Sequence, residues 1–172
     1  ENDLYINLFV ASRLNWRRKG MIIEQQTEFP ESDKSSLILR CAKSQTLTLH
    51  IRYPQWATTG YTIKVNDKIQ EIEKKPGSYI SLNRLWKDGD KIEIEMPKSL
   101  HKEVLPGDEH KFAFLNGPIV LAGEMDLDER KIVFLEKKDS ELRDWIQPSN
   151  RTKTSFITKT GFPKNVELVP LY

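Results

Sequence analysis

Alternation of apolar and charged residues in the segment 76–97 constrains the fold of this chain most strongly. Every second residue of 91–96 is apolar and the others are charged, which places the two kinds of side chain on opposite faces of a strand. Asp88-Gly89, between this run and the run 78–83, supplies the positive φ that a tight turn requires. The segment therefore predicts a half-buried antiparallel hairpin.

Similar alternation of apolar and polar residues recurs along most of the 172 residues. The predicted strands are 4–11, 21–29, 37–41, 46–52, 61–65, 69–72, 78–83, 91–96, 98–104, 112–115, 119–122, 131–135, 156–158 and 166–169. Short strands divided by Gly, Pro, Asn and Asp indicate an all-β, antiparallel β-sandwich that is jelly-roll-like. One or two short helical turns are predicted within 139–146. We expect a single domain over residues 1–172, because the length suits one hydrophobic core.

The predicted first strand, 4–11, is nearly all apolar, so we expect it to be covered on both faces. The first predicted strand begins abruptly, and the chain also ends abruptly after its last predicted strand. Both features predict a fragment of a larger protein. Acidic residues stand at the start, where a signal peptide would need a basic region. No apolar run approaches the length of a membrane span, so no membrane partner is predicted.

The charge balance argues against nucleic acid as a partner. Lys and Arg number 27 and Asp and Glu number 25, giving a net charge of +2. The two signs are interspersed, and no basic stripe of the kind that follows a phosphate backbone is present.

Cys41 is the single cysteine, so neither an internal disulfide nor a multi-cysteine zinc site is available within this chain. It alternates in phase with Leu37 and Leu39, which predicts a buried, unreactive thiol. A nucleophilic role would require a neighbouring base or cation, and Arg40 should point to the opposite face. His50 falls on the polar face of its strand, which favours a surface histidine over a metal ligand. We predict no metal site.

No serine-nucleophile signature and no phosphate-binding glycine loop occurs, so we predict no catalytic residue in this chain. Trp56, Trp86 and Trp145 lie at strand ends or loops, where sugar-binding modules place stacking rings. They are therefore candidates for carbohydrate stacking. The alternative is that these rings fill the ends of the sandwich.

Seven segments, read together and in order, resemble one known family. They are LYINLFVASRLNW, the Phe29-Pro30 pair, LTLHIRYPQWA, GYTIKVN, PGSYISLNRLWKDGDKIEIEMP, KFAFLNGPIVLAG and VELVPLY. The chain resembles the C-terminal β-sandwich region of glycoside hydrolase family 127 (GH127), the β-L-arabinofuranosidase type. The tract 128–164 matches least.

The resemblance implies a parent enzyme of the retaining type, in which a preceding (α/α)6 barrel carries a cysteine nucleophile and a zinc ion. None of those residues matches a position here, and Cys41 lies on a sandwich strand. The resemblance thus implies that this chain alone is inactive, holds no cofactor, and packs against and supports the N-terminal catalytic barrel of the same parent. It also implies an arabinose-containing plant glycan as the parent's substrate and a secreted or periplasmic location.

Three hypotheses follow for the function of the chain. The first is a non-catalytic β-sandwich whose exposed barrel-facing surface could also form a dimer. The second is a carbohydrate-binding module that uses exposed tryptophans. The third, a free-standing enzyme, would need a catalytic set that the sequence does not reveal.

Overall fold

The computed structural model describes residues 2–73, 75–125, 133–134, 141–152, 154–159, 161–162 and 164–171. The chain forms two compact units, Glu1–Lys98 and Ser99–Tyr172. The strands are β1 (Asp3–Ile6), β2 (Ser12–Trp16), β3 (Met21–Thr27), β4 (Lys34–Cys41), β5 (Gln45–Tyr53), β6 (Thr62–Val65), β7 (Lys68–Ile69), β8 (Ser78–Trp86), β9 (Lys91–Glu95), β10 (Leu100–Leu105), β11 (Asp108–Asn116), β12 (Ile119–Gly123), β13 (Val133–Phe134), β14 (Ile146–Pro148), β15 (Phe156–Thr158), β16 (Gly161–Phe162) and β17 (Glu167–Pro170). A 3₁₀ turn spans Arg17–Lys19, and the helix α1 spans Leu142–Trp145.

The first unit is built from two sheets whose inner faces share one hydrophobic core. One sheet has three strands in the order β1-β5-β8, and the other has six in the order β2-β3-β4-β9-β6-β7. Inward residues alternate with outward ones along each long strand, as the sequence pattern predicts. The largest fully buried side chains of this core are Trp86, Met21, Leu37, Leu39, Leu47, Leu49, Ile51, Ile63, Ile92, Ile94 and Met96. The all-β, antiparallel sandwich is confirmed, whereas the jelly-roll arrangement stays a prediction.

The hairpin predicted around Asp88-Gly89 is wrong in its pairing. Gly89 does take a positive φ of 83°. However, β8 pairs with β5, while β9 pairs with β4 and β6 in the other sheet. The turn therefore carries the chain from one layer to the other. Alternation along a strand specifies which face is buried but not which neighbour it pairs with.

A true two-residue hairpin lies at Asn66-Asp67, between β6 and β7. Both residues have positive φ, 50° and 64°, as a type I′ turn requires. Asn66 also accepts a hydrogen bond from the backbone N–H of Lys91 and donates one to Asp90. This turn agrees with its sequence prediction.

The predicted first strand, 4–11, is divided in the structure. β1 ends at Ile6, and a loop leads to β2, which begins at Ser12. β1 runs parallel to β5, whereas every other strand pair in the described part of the chain is antiparallel. The expectation that 4–11 is covered on both faces is wrong, because Leu8 and Val10 are exposed.

The second unit contains a six-stranded sheet in the order β10-β11-β12-β17-β15-β14 and a separate pair, β13-β16. Its core comprises Phe114, Leu121, Trp145, Ile146, Val166 and Leu168. The short helix α1 begins with a capping box in which Glu141 and Asp144 each accept a hydrogen bond from the other's backbone N–H. It lies within the segment 139–146 predicted to be helical, of which 139–140 fall outside the described residues.

The predicted strand 131–135 is described only at its centre, as β13. A single domain spanning both units stays a prediction. No helix among the described residues is long and apolar enough to cross a membrane.

Candidate functional site

The loop between β1 and β2 is held in place by two buried side chains. Phe9 is buried and meets the ring of Phe29 at 6.1 Å between centroids. Gln25, buried on β3, donates a hydrogen bond from Nε2 to the backbone carbonyl of Leu8 at 3.0 Å. The same amide lies 3.2 Å from Ser35 Oγ. The loop is therefore fixed at Leu8, through its backbone carbonyl, and at Phe9, through its side chain.

This anchoring turns two large apolar side chains outward. Leu8 is 65% exposed and Val10 is 54% exposed, one on each side of the buried Phe9. Both border a groove of about 270 Å³. The other side chains and backbone segments that line this groove are Leu4, Tyr5, Ile6, Asn7, Ser12, Leu14, Ile23, Gln25 and Leu37. We call this region the apolar groove. Side chains of this kind, held outward by a fixed loop, form a surface suited to contact with another protein surface.

A second surface, the outer face of the three-stranded sheet, carries a polar and aromatic cluster. Tyr5, His50 and Ser81 form one row across β1, β5 and β8. His50 Nδ1 lies 2.9 Å from Ser81 Oγ, and Nε2 lies 3.2 Å from Asp3 Oδ1. Because a carboxylate only accepts, His50 Nε2–H donates to Asp3, and the other ring nitrogen of a neutral imidazole accepts the Ser81 proton.

The aromatic side chains of this face are fixed against one another. Tyr5 stacks on the His50 ring at 4.3 Å and 18° and meets Tyr79 edge-on at 5.2 Å and 84°. The Tyr79 hydroxyl donates to Asn7 Oδ1 at 2.6 Å. Tyr5 nevertheless stays 55% exposed. His50 thus lies on a polar face, as its sequence position predicts.

The Asp3, His50 and Ser81 side chains superficially resemble a serine hydrolase triad. A triad nucleophile lies where backbone N–H groups of a sharp turn can stabilise the oxyanion. Ser81 instead lies in the middle of the nine-residue strand β8. We therefore interpret the three residues as a hydrogen-bonded cluster of the sheet surface.

Trp86 is completely buried in the first unit. Its Nε1–H donates to the backbone carbonyl of Leu47 at 3.1 Å, and the Arg84 guanidinium lies 5.1 Å from the ring centroid. Trp145 is buried in the second core, with Lys102 Nζ 5.2 Å from its ring centroid. Stacking on a sugar would require either ring to leave its core.

Trp56 is half-buried, and its ring stacks on Phe29 at 5.9 Å and 16°. The structure therefore does not bring the three candidate tryptophans together on one surface of either unit. The role of Trp56, Trp86 and Trp145 in sugar binding stays a prediction. Sequence reasoning does not identify Tyr5, because the run 4–11 predicts a strand that is buried on both faces. The signal was the polarity of Asp3, two residues before Tyr5.

Cys41 is buried, and its environment disfavours the thiolate. Burial raises the pKa of the Cys41 thiol, and the negative charges of Asp88 and Asp90 raise it further. The backbone N–H of Cys41 donates to Asp88 Oδ1 at 3.0 Å. The predicted buried and unreactive thiol agrees with this geometry.

No cluster of three or more His, Cys, Asp or Glu side chains suited to a metal ion occurs within the described ranges. His50 and His101 each lie beside a carboxylate, Asp3 and Glu103 respectively. Neither pair is joined by a third such side chain in the described part of the chain.

The first unit is thus a β-sandwich domain that presents an apolar groove at one border and a polar, aromatic sheet face beside it. A sequence profile described as "Beta-L-arabinofuranosidase, GH127 middle domain" matches residues 3–98. The chain belongs to this family. The profile describes a middle domain, and an origin in the C-terminal region of a parent protein stays a prediction.

Solved structures share the fold of the chain at low sequence identity. A GH127 β-L-arabinofuranosidase from Geobacillus stearothermophilus T6 matches with a TM-score of 0.72 and 17% identity, over 98% of this chain and 31% of that one. A structure described as a GH127 β-arabinofuranosidase matches with a TM-score of 0.67 and 20% identity, over 98% of this chain and 32% of that one. A third structure, described as a glycoside hydrolase, matches with a TM-score of 0.64 and 19% identity, over 96% of this chain and 32% of that one.

The chain therefore spans about a third of the length of these structures. No curated protein sequence matches it.

Proposed function

We propose that this chain is a non-catalytic β-sandwich part of a GH127-type glycoside hydrolase. In this proposal it packs against a catalytic (α/α)6 barrel of the same parent protein and supports it. The barrel would act on arabinose-containing glycans. Membership of the middle-domain family over residues 3–98 supports this assignment.

The observation that carries the proposal is the outward display of Leu8 and Val10. Both belong to the matched segment, and both are exposed although the loop between β1 and β2 is anchored by Phe9 and Gln25. Complete burial of a fully exposed leucine or valine side chain is worth about 1.5–3 kcal/mol, and more than half of Leu8 and of Val10 is still exposed. The two side chains can therefore contribute substantially to an interface with the barrel.

The test introduces the double substitution Leu8→Ser, Val10→Ser into two proteins. One is the parent protein, which contains the barrel, and the other is the isolated chain, which lacks it. In the isolated chain the double variant should unfold at nearly the wild-type denaturant concentration, because both side chains are exposed there. In the parent protein the variant should lower the melting temperature and the activity of the barrel. Equal effects in both contexts, or none in the parent, would contradict the proposal.

Ile69→Ser provides the matched control. Ile69 is an equally apolar residue, 69% exposed, on β7 at the edge of the six-stranded sheet, and it does not line the apolar groove. Ile69→Ser should change neither the unfolding midpoint of the isolated chain nor the melting temperature and activity of the parent protein.

The same surface leads to the prediction that the isolated chain dimerises. Sedimentation velocity of the wild-type chain and the Leu8→Ser variant measures this directly. A dimer that the substitution dissociates would support the prediction, and a monomer at high protein concentration would contradict it.

A further inference from the structure

We propose that the outer face of the three-stranded sheet binds a short neutral oligosaccharide, with the exposed ring of Tyr5 as its stacking platform. The inference goes beyond a supporting role, and it rests on residues other than the tryptophans. Nothing in it depends on a barrel being present.

The first argument is the state of the Tyr5 ring. The ring stacks on His50 and lies nearly perpendicular to the ring of Tyr79, yet Tyr5 is 55% exposed. More than half of Tyr5 is therefore open to solvent and available for a further contact. The C–H groups of a sugar ring carry partial positive charge and pack favourably on the negative face of an aromatic ring.

The second argument is that the platform is pre-organised. The Tyr79 hydroxyl is held by Asn7, and His50 is held between Ser81 and Asp3. Tyr5 therefore lies against two side chains that are themselves fixed. A ligand that stacks on it would not have to order the platform, which is a cost that weakens binding to mobile surface side chains.

The third argument is the arrangement of hydroxyl-binding groups around the ring. Asp3, Thr48 and Asn83 form the row on one side of Tyr5, with Asn83 Nδ2 donating to Thr48 Oγ1 at 2.8 Å. Arg52 and Tyr79 face each other in the row on the other side. These carboxylate, amide and guanidinium groups can accept from or donate to sugar hydroxyl groups.

Spacing and charge define the class of ligand. Side chains on one face of a strand repeat about every 6.8 Å, so the three rows extend over about 14 Å. That length suits several linked sugars better than a single one. Asp3 and Arg52 contribute one charge of each sign to the face, which favours a neutral glycan over an acidic one.

The experiment is a titration of the ¹⁵N-labelled chain with short linear arabino-, xylo- and cello-oligosaccharides, followed by ¹H–¹⁵N correlation spectra. We expect saturable shifts in the millimolar range or below, confined to the amides of β1, β5 and β8. Tyr5→Ala should weaken binding at least about tenfold, because the stacking contact is lost. Tyr5→Phe keeps the ring and should bind within about threefold of the wild type.

Ile69→Ala is the control for a general effect of removing an exposed apolar side chain, and it should bind like the wild type. Ser81→Ala leaves the Tyr5 ring in place but removes a hydrogen bond that holds His50 beneath it, so it should give an intermediate loss of affinity. The absence of saturable shifts with all three sugar series would overturn the proposal. Unchanged binding by Tyr5→Ala would also overturn it. Either result would leave the barrel-supporting function standing, because that function is tested by substituting Leu8 and Val10 in the parent protein, whereas Tyr5, which also borders the apolar groove, is unchanged in that test.

Discussion

The side-chain amide of Gln25 on β3 holds the backbone carbonyl of Leu8, which lies in the loop between β1 and β2, at 3.0 Å. This bond joins residues 17 positions apart and fixes a loop that has no ladder hydrogen bonds of its own. The exposed position of Leu8 is therefore a property of the folded sheet and not of a freely moving loop.

Replacing Gln25 with alanine should destabilise the first unit by about 1–3 kcal/mol, because Leu8 loses a hydrogen-bond partner in a part-buried site. Gln26→Ala is the matched control. Gln26 follows it on the same strand and is exposed; among the described residues its amide donates one exposed hydrogen bond, to Glu24, so the change should stay within about 0.5 kcal/mol. Urea unfolding of the two variants measures the difference. Equal losses would show that the Leu8 contact has no special role.

Trp86→Ala should lower the free energy of unfolding by about 3–5 kcal/mol, because it empties a fully buried site and removes the hydrogen bond to the Leu47 carbonyl. Trp56→Ala should cost less, because that ring is only half-buried against Phe29. Chemical denaturation followed by far-UV circular dichroism compares the two without depending on tryptophan fluorescence. A larger loss at Trp56 would contradict the core role assigned to Trp86.

Cys41 should react with an aromatic disulfide reagent far more slowly in the folded chain than in urea. The thiol is buried, and its pKa is raised by burial and by Asp88 and Asp90, so the reactive thiolate is scarce at neutral pH. Because Cys41 is the single cysteine, Cys41→Ala gives the background rate. Rapid labelling under native conditions would contradict the assignment of an unreactive thiol.

Tyr61 should make the first unit sensitive to alkali. Burial raises the pKa of its phenol above the ordinary value of 10.0, with a smaller contribution from Tyr53, whose ring stacks on it at 4.2 Å. Stability from the neutral phenol is complete below pH 10.0 and is lost as the pH rises through the higher pKa of the folded state.

At neutral pH, Tyr61→Phe should cost about 1 kcal/mol, because the hydroxyl no longer donates to the Arg52 carbonyl at 3.0 Å. As the pH rises above 10.0, the wild type should lose stability faster than the variant, so the difference narrows. Urea unfolding at neutral and alkaline pH measures both effects. A parallel decline of the two proteins would contradict the role of this phenol.

Much of the fold follows from the sequence because a two-residue period directly determines which side chains are buried. β5, β8 and β9 lie within about three residues of their predicted bounds, and the Asn66-Asp67 turn lies where its residue types predict it. The two-residue period does not determine which strands pair with each other. The turn at Asp88-Gly89 has the residues of a hairpin, yet it joins two sheets, because the buried faces of β8 and β9 oppose each other across the core.

The sequence does not predict the two candidate surfaces, which are the apolar groove and the outer face of the three-stranded sheet. Both depend on β1, whose apolar neighbours favoured an interpretation as a fully buried strand. In the structure, Leu4 and Ile6 face inward, whereas Tyr5 faces outward and Leu8 belongs to a loop. Only the pairing of β1 with β5, which is remote in sequence, brings Tyr5 beside His50. A contact of that kind has no local sequence signal.

The parallel pairing of β1 with β5 also bears on the order in which the unit assembles. The chain between these strands passes through β2, β3 and β4 of the other sheet, so pairing β1 with β5 requires closing that whole intervening segment, and we expect β1 to dock late. We expect the amides of β1 to exchange with solvent well before those in the middle of β5. Both surfaces would then be completed last during folding and be the first to be lost through local opening, while most of the core remains folded.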